Sequence, residues 1–175
     1  MLLTETLSTV ARLRAATASD HDAVDAGFGR YDLSDAAEYR AFLIAHAKAL
    51  PAVEAWLDNI AGLAPVRSRR DALAADLAAL GEAMPTPMTF DVTRSAAAGW
   101  GAMYVVEGSR LGGIMLSRSV PQGLPSAYLG AKHLSGEWRA LLAAIDAQPA
   151  DEAWIAEAVA GAKAAFELYR RAPGA

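Results

Sequence analysis

Cysteine is absent from the 175-residue chain. That excludes disulfides, cysteine-ligated zinc, iron–sulfur clusters and a thiolate nucleophile, and it fits a reducing compartment. No run of like charges occurs. Sixteen Lys and Arg against twenty Asp and Glu leave a net charge of -4, which argues against a general nucleic-acid binder. The most apolar stretch, residues 96–106, is far shorter than the roughly 20 residues a bilayer span requires and contains Gly99 and Gly101. The opening Met-Leu-Leu-Thr-Glu lacks the basic and apolar segments of a secretory signal, so the protein is expected in the cytoplasm without a membrane partner. Also missing are Glu-x-x-His, Gly-x-x-x-x-Gly-Lys-Ser/Thr, Gly-x-Ser-x-Gly and a dinucleotide glycine fingerprint. These absences disfavour a di-iron carboxylate bundle, a nucleotide site and a serine hydrolase.

What remains is a chain 54% hydrophobic and 21% charged, long enough to bury roughly 70% of its unfolded surface in one core. Apolar residues recur at helical spacing almost throughout, so the expectation is an all-α, single-domain bundle over residues 1–175. Leu3, Leu7, Val10, Leu13, Thr17, His21, Val24 and Phe28 draw one stripe along a first helix that ends near Gly27 or Gly29. Ser34 is the expected N-cap of a second helix running towards Ile60 and kinked at Pro51. A third helix carries Leu73, Leu77 and Leu80 and stops at Gly81. The segment 82–90 is a connector, a fourth helix spans about Thr93 to Arg118, and a short helix surrounds Trp138. A last helix follows the cap Asp151 and frays at Pro173.

Two features point to chemistry. His21 lies on an apolar helix face, where a neutral imidazole can be either a hydrogen-bonded core residue or an axial ligand to heme iron. Arg14, about two turns and about 10.5 Å earlier on nearly the same face, could reach a ligand carboxylate or be one solvated charge. The fourth helix holds Gly108, Gly112 and Gly113, at a combined cost of about 3 kcal/mol in helix propensity. Gly108 and Gly112 share one face, so their missing Cβ atoms admit either a flat ligand or a closely packed neighbouring helix. Tyr104, one turn before Gly108, could present its hydroxyl at the same groove. His46 and His133 have no partner at metal-ligand spacing.

Leu13-Arg14-Ala15-Ala16-Thr17-Ala18-Ser19-Asp20-His21 resembles the proximal-helix motif of heme oxygenases, and Tyr104-Val105-Val106-Glu107-Gly108-Ser109-Arg110-Leu111-Gly112-Gly113 resembles the distal helix of the small bacterial type. Arg70-x-x-Leu73-x-x-Asp76-Leu77-x-x-Leu80-Gly81 and the stretch 162–166, which ends on Phe166, are similar to further family patterns in the same order. The resemblance implies heme as both substrate and cofactor, held between the first helix and a glycine-kinked distal helix. It implies His21 as the iron ligand, Arg14 at a propionate, and Thr17, Tyr104, Gly113 and Phe166 among the heme contacts. Gly108, Ser109 and Gly112 would be the distal residues that steer dioxygen to a meso carbon. Biliverdin, carbon monoxide and ferrous iron are the implied products, an external ferredoxin or flavoprotein reductase the electron donor, and a bilin-accepting photoreceptor a further partner. Two departures stand out. Ser109 replaces the aspartate of the mammalian type, so protons must be delivered without that carboxylate, and Arg110 replaces a smaller polar residue. A thiaminase-like enzyme is excluded for want of a cysteine, and a non-catalytic heme carrier or sensor is the alternative reading.

Overall fold

The computed structural model describes residues 7–175, which form seven α-helices, a short 3-10 turn and no strand. The elements are α1 (Thr9–Phe28), α2 (Ala36–Leu57), α3 (Arg70–Ala79), α4 (Ala96–Ser117), α5 (Ala127–Gly130), α6 (Glu137–Asp146) and α7 (Glu152–Arg171). None is long and apolar enough to cross a membrane.

Local chemistry sets most of the boundaries. Ser8 caps α1 through the Ala11 N–H, and Ser95 caps α4 through the Ala98 N–H. Asp151 caps α7 through the Trp154 N–H, as its position before the apolar stripe predicts. The expected cap Ser34 is displaced by Asp35, whose carboxylate accepts both the Ala37 and Glu38 N–H groups at 2.9 Å. Ser34 instead donates its hydroxyl to Asp32. α2 ends at Leu57 rather than near Ile60 and holds Pro51 within one continuous helix. The expected helix starts too early: Leu3 lies outside the described residues, and Leu7 precedes the Ser8 cap and is exposed instead of joining the buried stripe. Gly81 follows α3 at φ +77°, where a Cβ would strain the backbone. The connection after Pro121 also contains α5, a four-residue helix with no periodic signal to announce it.

α4 and α7 cross closely because two glycines let their backbones touch. A Cβ added at Gly101 would overlap the Ala158 carbonyl oxygen and come within 2.7 Å of its carbon, and one at Gly161 would meet the Ala98 carbonyl in the same way. For Gly101, then, close helix packing is the explanation. α1 also packs on α7, whereas α1 and α4 pack on α7 rather than on each other. The gap left between them is a cleft lined by α1, α4 and α7.

Candidate heme cleft

The cleft has a volume of about 360 Å³, and the nine residues that the resemblance assigns to heme binding or dioxygen steering all line it. α1 contributes Arg14, Thr17 and His21, α7 contributes Phe166, and α4 contributes Tyr104, Gly108, Ser109, Gly112 and Gly113. His21 is held loosely. Its side chain is 59% exposed, its Nδ1 lies 3.5 Å from an oxygen of Asp25 and 3.7 Å from one of Asp22, and Phe166 stands edge-on at 6.0 Å. Thr17 is buried and donates its hydroxyl to the Leu13 carbonyl one turn back. Arg14 is exposed and makes no hydrogen bond or ion pair among the described residues.

The glycines of α4 divide by what their bare faces meet. A Cβ at Gly112 would find nothing within 4 Å, and one at Gly108 would make only an ordinary 3.4 Å contact with the Trp138 ring. Both therefore open helix backbone to the cleft. Gly113 faces the other way, where a Cβ would lie 3.1 Å from the Leu129 carbonyl oxygen, so its missing side chain serves the packing of α4 on α5.

The most consequential cleft residues escape sequence reasoning. Arg69, immediately before α3, is buried and donates to the Val106 carbonyl at 2.8 Å and to Ser109 Oγ at 2.7 Å. Its guanidinium sits 5.2 Å above the Tyr128 ring. Tyr128 in turn meets His46 Nδ1 at 2.6 Å. Tyr128 is 1% exposed and its hydroxyl has no other acceptor among the described residues, whereas half-buried His46 lines the open cleft, so Tyr128 is assigned as the donor and the His46 proton is placed on Nε2. His46 is therefore not an incidental histidine: it lines the cleft, ringed by Phe28, Phe42, Tyr128 and Tyr169. Only tertiary packing unites these residues, which stand on α2, on the connection before α3 and on α5.

Arg110 does not line the cleft. It is 2% exposed, pairs with Glu107 at 2.8 Å, and donates to the backbone carbonyls of Ala131 and Arg67. It ties α4 to the connection before α3 and to the one after α5. His133 also lies outside the cleft lining, with Nε2 3.4 Å from Glu107 and its ring stacked on Trp138.

Burial, with Arg69 nearby, pushes the His46 imidazole down from 6.5 to about 3. On acidification the unfolded chain takes the proton first, so the stability this group contributes falls from about pH 6.5 downward and is fully lost near pH 3. His46 is partly open to the cleft, which tempers the effect to about 1 to 2 kcal/mol between pH 7 and pH 5. In urea unfolding of the heme-free protein, His46→Gln keeps an acceptor for Tyr128 and should lose that much less stability over this interval than the parent. Equal losses in both proteins would remove the assignment.

No family model matches the chain. It is 33% identical to a curated heme oxygenase of Xanthomonas campestris pv. campestris (strain 8004), a match that covers 77% of this chain and 88% of the relative. Its structure superposes on the NO- and CO-bound heme oxygenase of Neisseria meningitidis with TM-score 0.81 at 26% identity, covering 96% of this chain and 91% of that one. The heme oxygenase of Leptospira interrogans shares the fold, with TM-score 0.72 at 20% identity over 95% of this chain and 98% of that one. With one-third identity to a relative over most of both sequences, and the same helical frame from end to end, the chain belongs to the heme oxygenase family.

Proposed function

We propose that the cleft between α1 and α4 binds heme through His21 and that the protein opens the macrocycle to biliverdin, carbon monoxide and ferrous iron. One observation supports this most directly. An imidazole on α1 and the uncovered backbone of Gly108 and Gly112 on α4 line a single cleft, where a Cβ at position 112 would meet empty space. The residues present fit a flat, largely apolar ligand with a metal to be ligated and carboxylates at its rim.

Bound heme supplies the redox iron and is itself the molecule consumed. His21 offers a nitrogen ligand without the electron push of a thiolate, and the carboxylates of Asp25 and Asp22, 3.5 and 3.7 Å from Nδ1, stand ready to accept its proton once the ring is fixed by ligation. Gly108 and Gly112 let the ligand approach the helix backbone, which restricts where dioxygen can lie. Ser109, fixed by Arg69 and by its own hydrogen bond to the Val106 carbonyl, provides a polar hydroxyl beside Gly108. Arg69, Tyr128 and His46 extend that polar wall, and on this reading they hold protons at the site in place of a distal carboxylate. Arg14 and Tyr104 are suited to the propionate edge. The electrons come from an external ferredoxin or flavoprotein reductase, the setting is cytoplasmic, and a bilin-accepting photoreceptor is a fitting consumer of the pigment.

Titration with hemin, followed by reductant and oxygen and by chromatography of the pigment, tests the proposal. Near-stoichiometric binding and conversion of the Soret band to biliverdin absorption are expected, whereas tight binding with an intact Soret band would indicate a carrier. The glycines permit a sharper test. Gly112→Ala should leave the melting temperature of the heme-free protein unchanged or raise it, because helix propensity improves by up to roughly 1 kcal/mol and the methyl group touches nothing. The same change should weaken oxygen activation or divert it to hydrogen peroxide release. A destabilised heme-free variant with normal chemistry per bound heme would contradict this role for Gly112.

A further inference from the structure

Asp76 belongs to the sequence pattern of α3 singled out above, yet it does not line the cleft and has been given no part in the chemistry so far. It is 2% exposed, and each of its two oxygens accepts a backbone N–H. Oδ1 accepts the Ala127 N–H at 3.0 Å and Oδ2 accepts the Tyr128 N–H at 2.8 Å. These are the first two amides of α5, whose own cap position, Ser126, supplies no side-chain hydrogen bond. A four-residue helix is far too short to persist by itself, so α5 depends on an acceptor brought from elsewhere, and α3 provides it. Tyr39 secures the preceding turn by donating its hydroxyl to the Pro125 carbonyl at 2.8 Å.

The residue held in this way is the junction of the polar cleft wall. The Tyr128 ring lies under the Arg69 guanidinium, and its hydroxyl meets His46 Nδ1. Arg69 reaches on to Ser109 and the Val106 carbonyl on α4. Arg69 and Asp76 are also coupled through α3 itself, with Arg69 at the cap position of the helix and Asp76 two turns along. α3 thus places the guanidinium from one end and, through the carboxylate, the ring beneath it.

We propose that Asp76 is a positioning residue for the distal wall: by holding the α5 amides it fixes Tyr128 and, through Tyr128, the tautomer of His46 and the aim of Arg69 at Ser109. The inference rests on reading the cleft as the heme site. It nonetheless has a consequence in the heme-free protein that can be measured whether or not heme is turned over.

The variant Asp76→Asn keeps the shape of the side chain, but its amide nitrogen cannot accept the second N–H. Long-range ¹H–¹⁵N spectra of the heme-free protein should show His46 as the single Nε2–H tautomer in the parent. In Asp76→Asn they should show averaging between tautomers, with the apparent pKa of His46 moving up towards its ordinary value. Turnover should fall about 10-fold, the scale of a lost outer support, while heme affinity stays within about 2-fold. Tyr128→Phe should reproduce the turnover loss, and the double variant should be no slower than the slower single variant, because both changes break one chain of contacts. Ile145→Val, in the core of α6, serves as the stability control and should leave the His46 signals unchanged. If Asp76→Asn does not fold, Asp76→Glu, which retains both acceptors but displaces them by one methylene, is expected to show the same averaging. His46 signals identical to the parent, or turnover losses that multiply in the double variant, would overturn the proposal. Absence of biliverdin from the parent protein would instead count against the heme oxygenase activity.

Discussion

Turnover by His21→Ala is expected to fall at least about 100-fold, beyond what loss of an outer support to a metal ligand typically costs. The variant should keep its fold. His21 makes no short hydrogen bond, its side chain is 59% exposed, and its neighbours on α1 stay anchored by Leu13 and Thr17 in the core. The melting temperature of the heme-free protein should therefore be nearly unchanged, while the absorption spectrum of the heme complex loses the signature of a nitrogen ligand. Added imidazole, which can enter the open cleft, should restore part of both spectrum and turnover. The competing ligand is His46, which lines the same cleft. Its Nδ1 is engaged by Tyr128, and it sits within an aromatic ring of neighbours. Heme spectra unchanged in His21→Ala, with loss in His46→Ala or His133→Ala, would transfer the role.

Gly101→Ala should be the most damaging single methyl group that can be added to α4. The new Cβ would fall on the Ala158 backbone, where no rotamer change can make room, so α4 and α7 must move apart. Overpacking of this rigid kind costs about 3 kcal/mol, set against a gain of about 1 kcal/mol in helix propensity. For a chain of this size the net loss lowers the melting temperature by roughly 4 to 8 °C. Circular dichroism melts of Gly101→Ala beside Gly112→Ala make the comparison direct: one helix, the same substitution, and opposite directions expected. Equal melting temperatures would mean that the α4–α7 crossing can relax.

The contrast between those glycines also shows where sequence reasoning stops. Leucine and alanine spacing made six of the seven helices legible, because each buries a stripe and most carry a side-chain cap. α5 was not legible, since four residues define no period and its acceptor, Asp76, is 51 and 52 positions from the two amides it holds. The first, fourth and last helices yielded the cleft residues because motif and periodicity coincide there. Arg69, His46 and Tyr128 were missed for the opposite reason: each has an unremarkable local context, and only the fold makes them neighbours. The role of Arg110 was equally hidden, because sequence spacing does not say which face of α4 turns towards Glu107 and the Arg67 and Ala131 carbonyls.

The tethering of α1 has a consequence for how the protein is made. Its first turn is fixed by Asp146, at the end of α6, which accepts the Val10 N–H at 2.8 Å, and by Glu152, which grips Arg12 with two bonds of 2.7 Å. The rest of α1 lies along α7. Every one of these anchors is synthesised more than 130 residues after the segment it holds. The helix bearing His21 is therefore made well before the helices against which it docks, so the cleft can close only once α6 and α7 have followed.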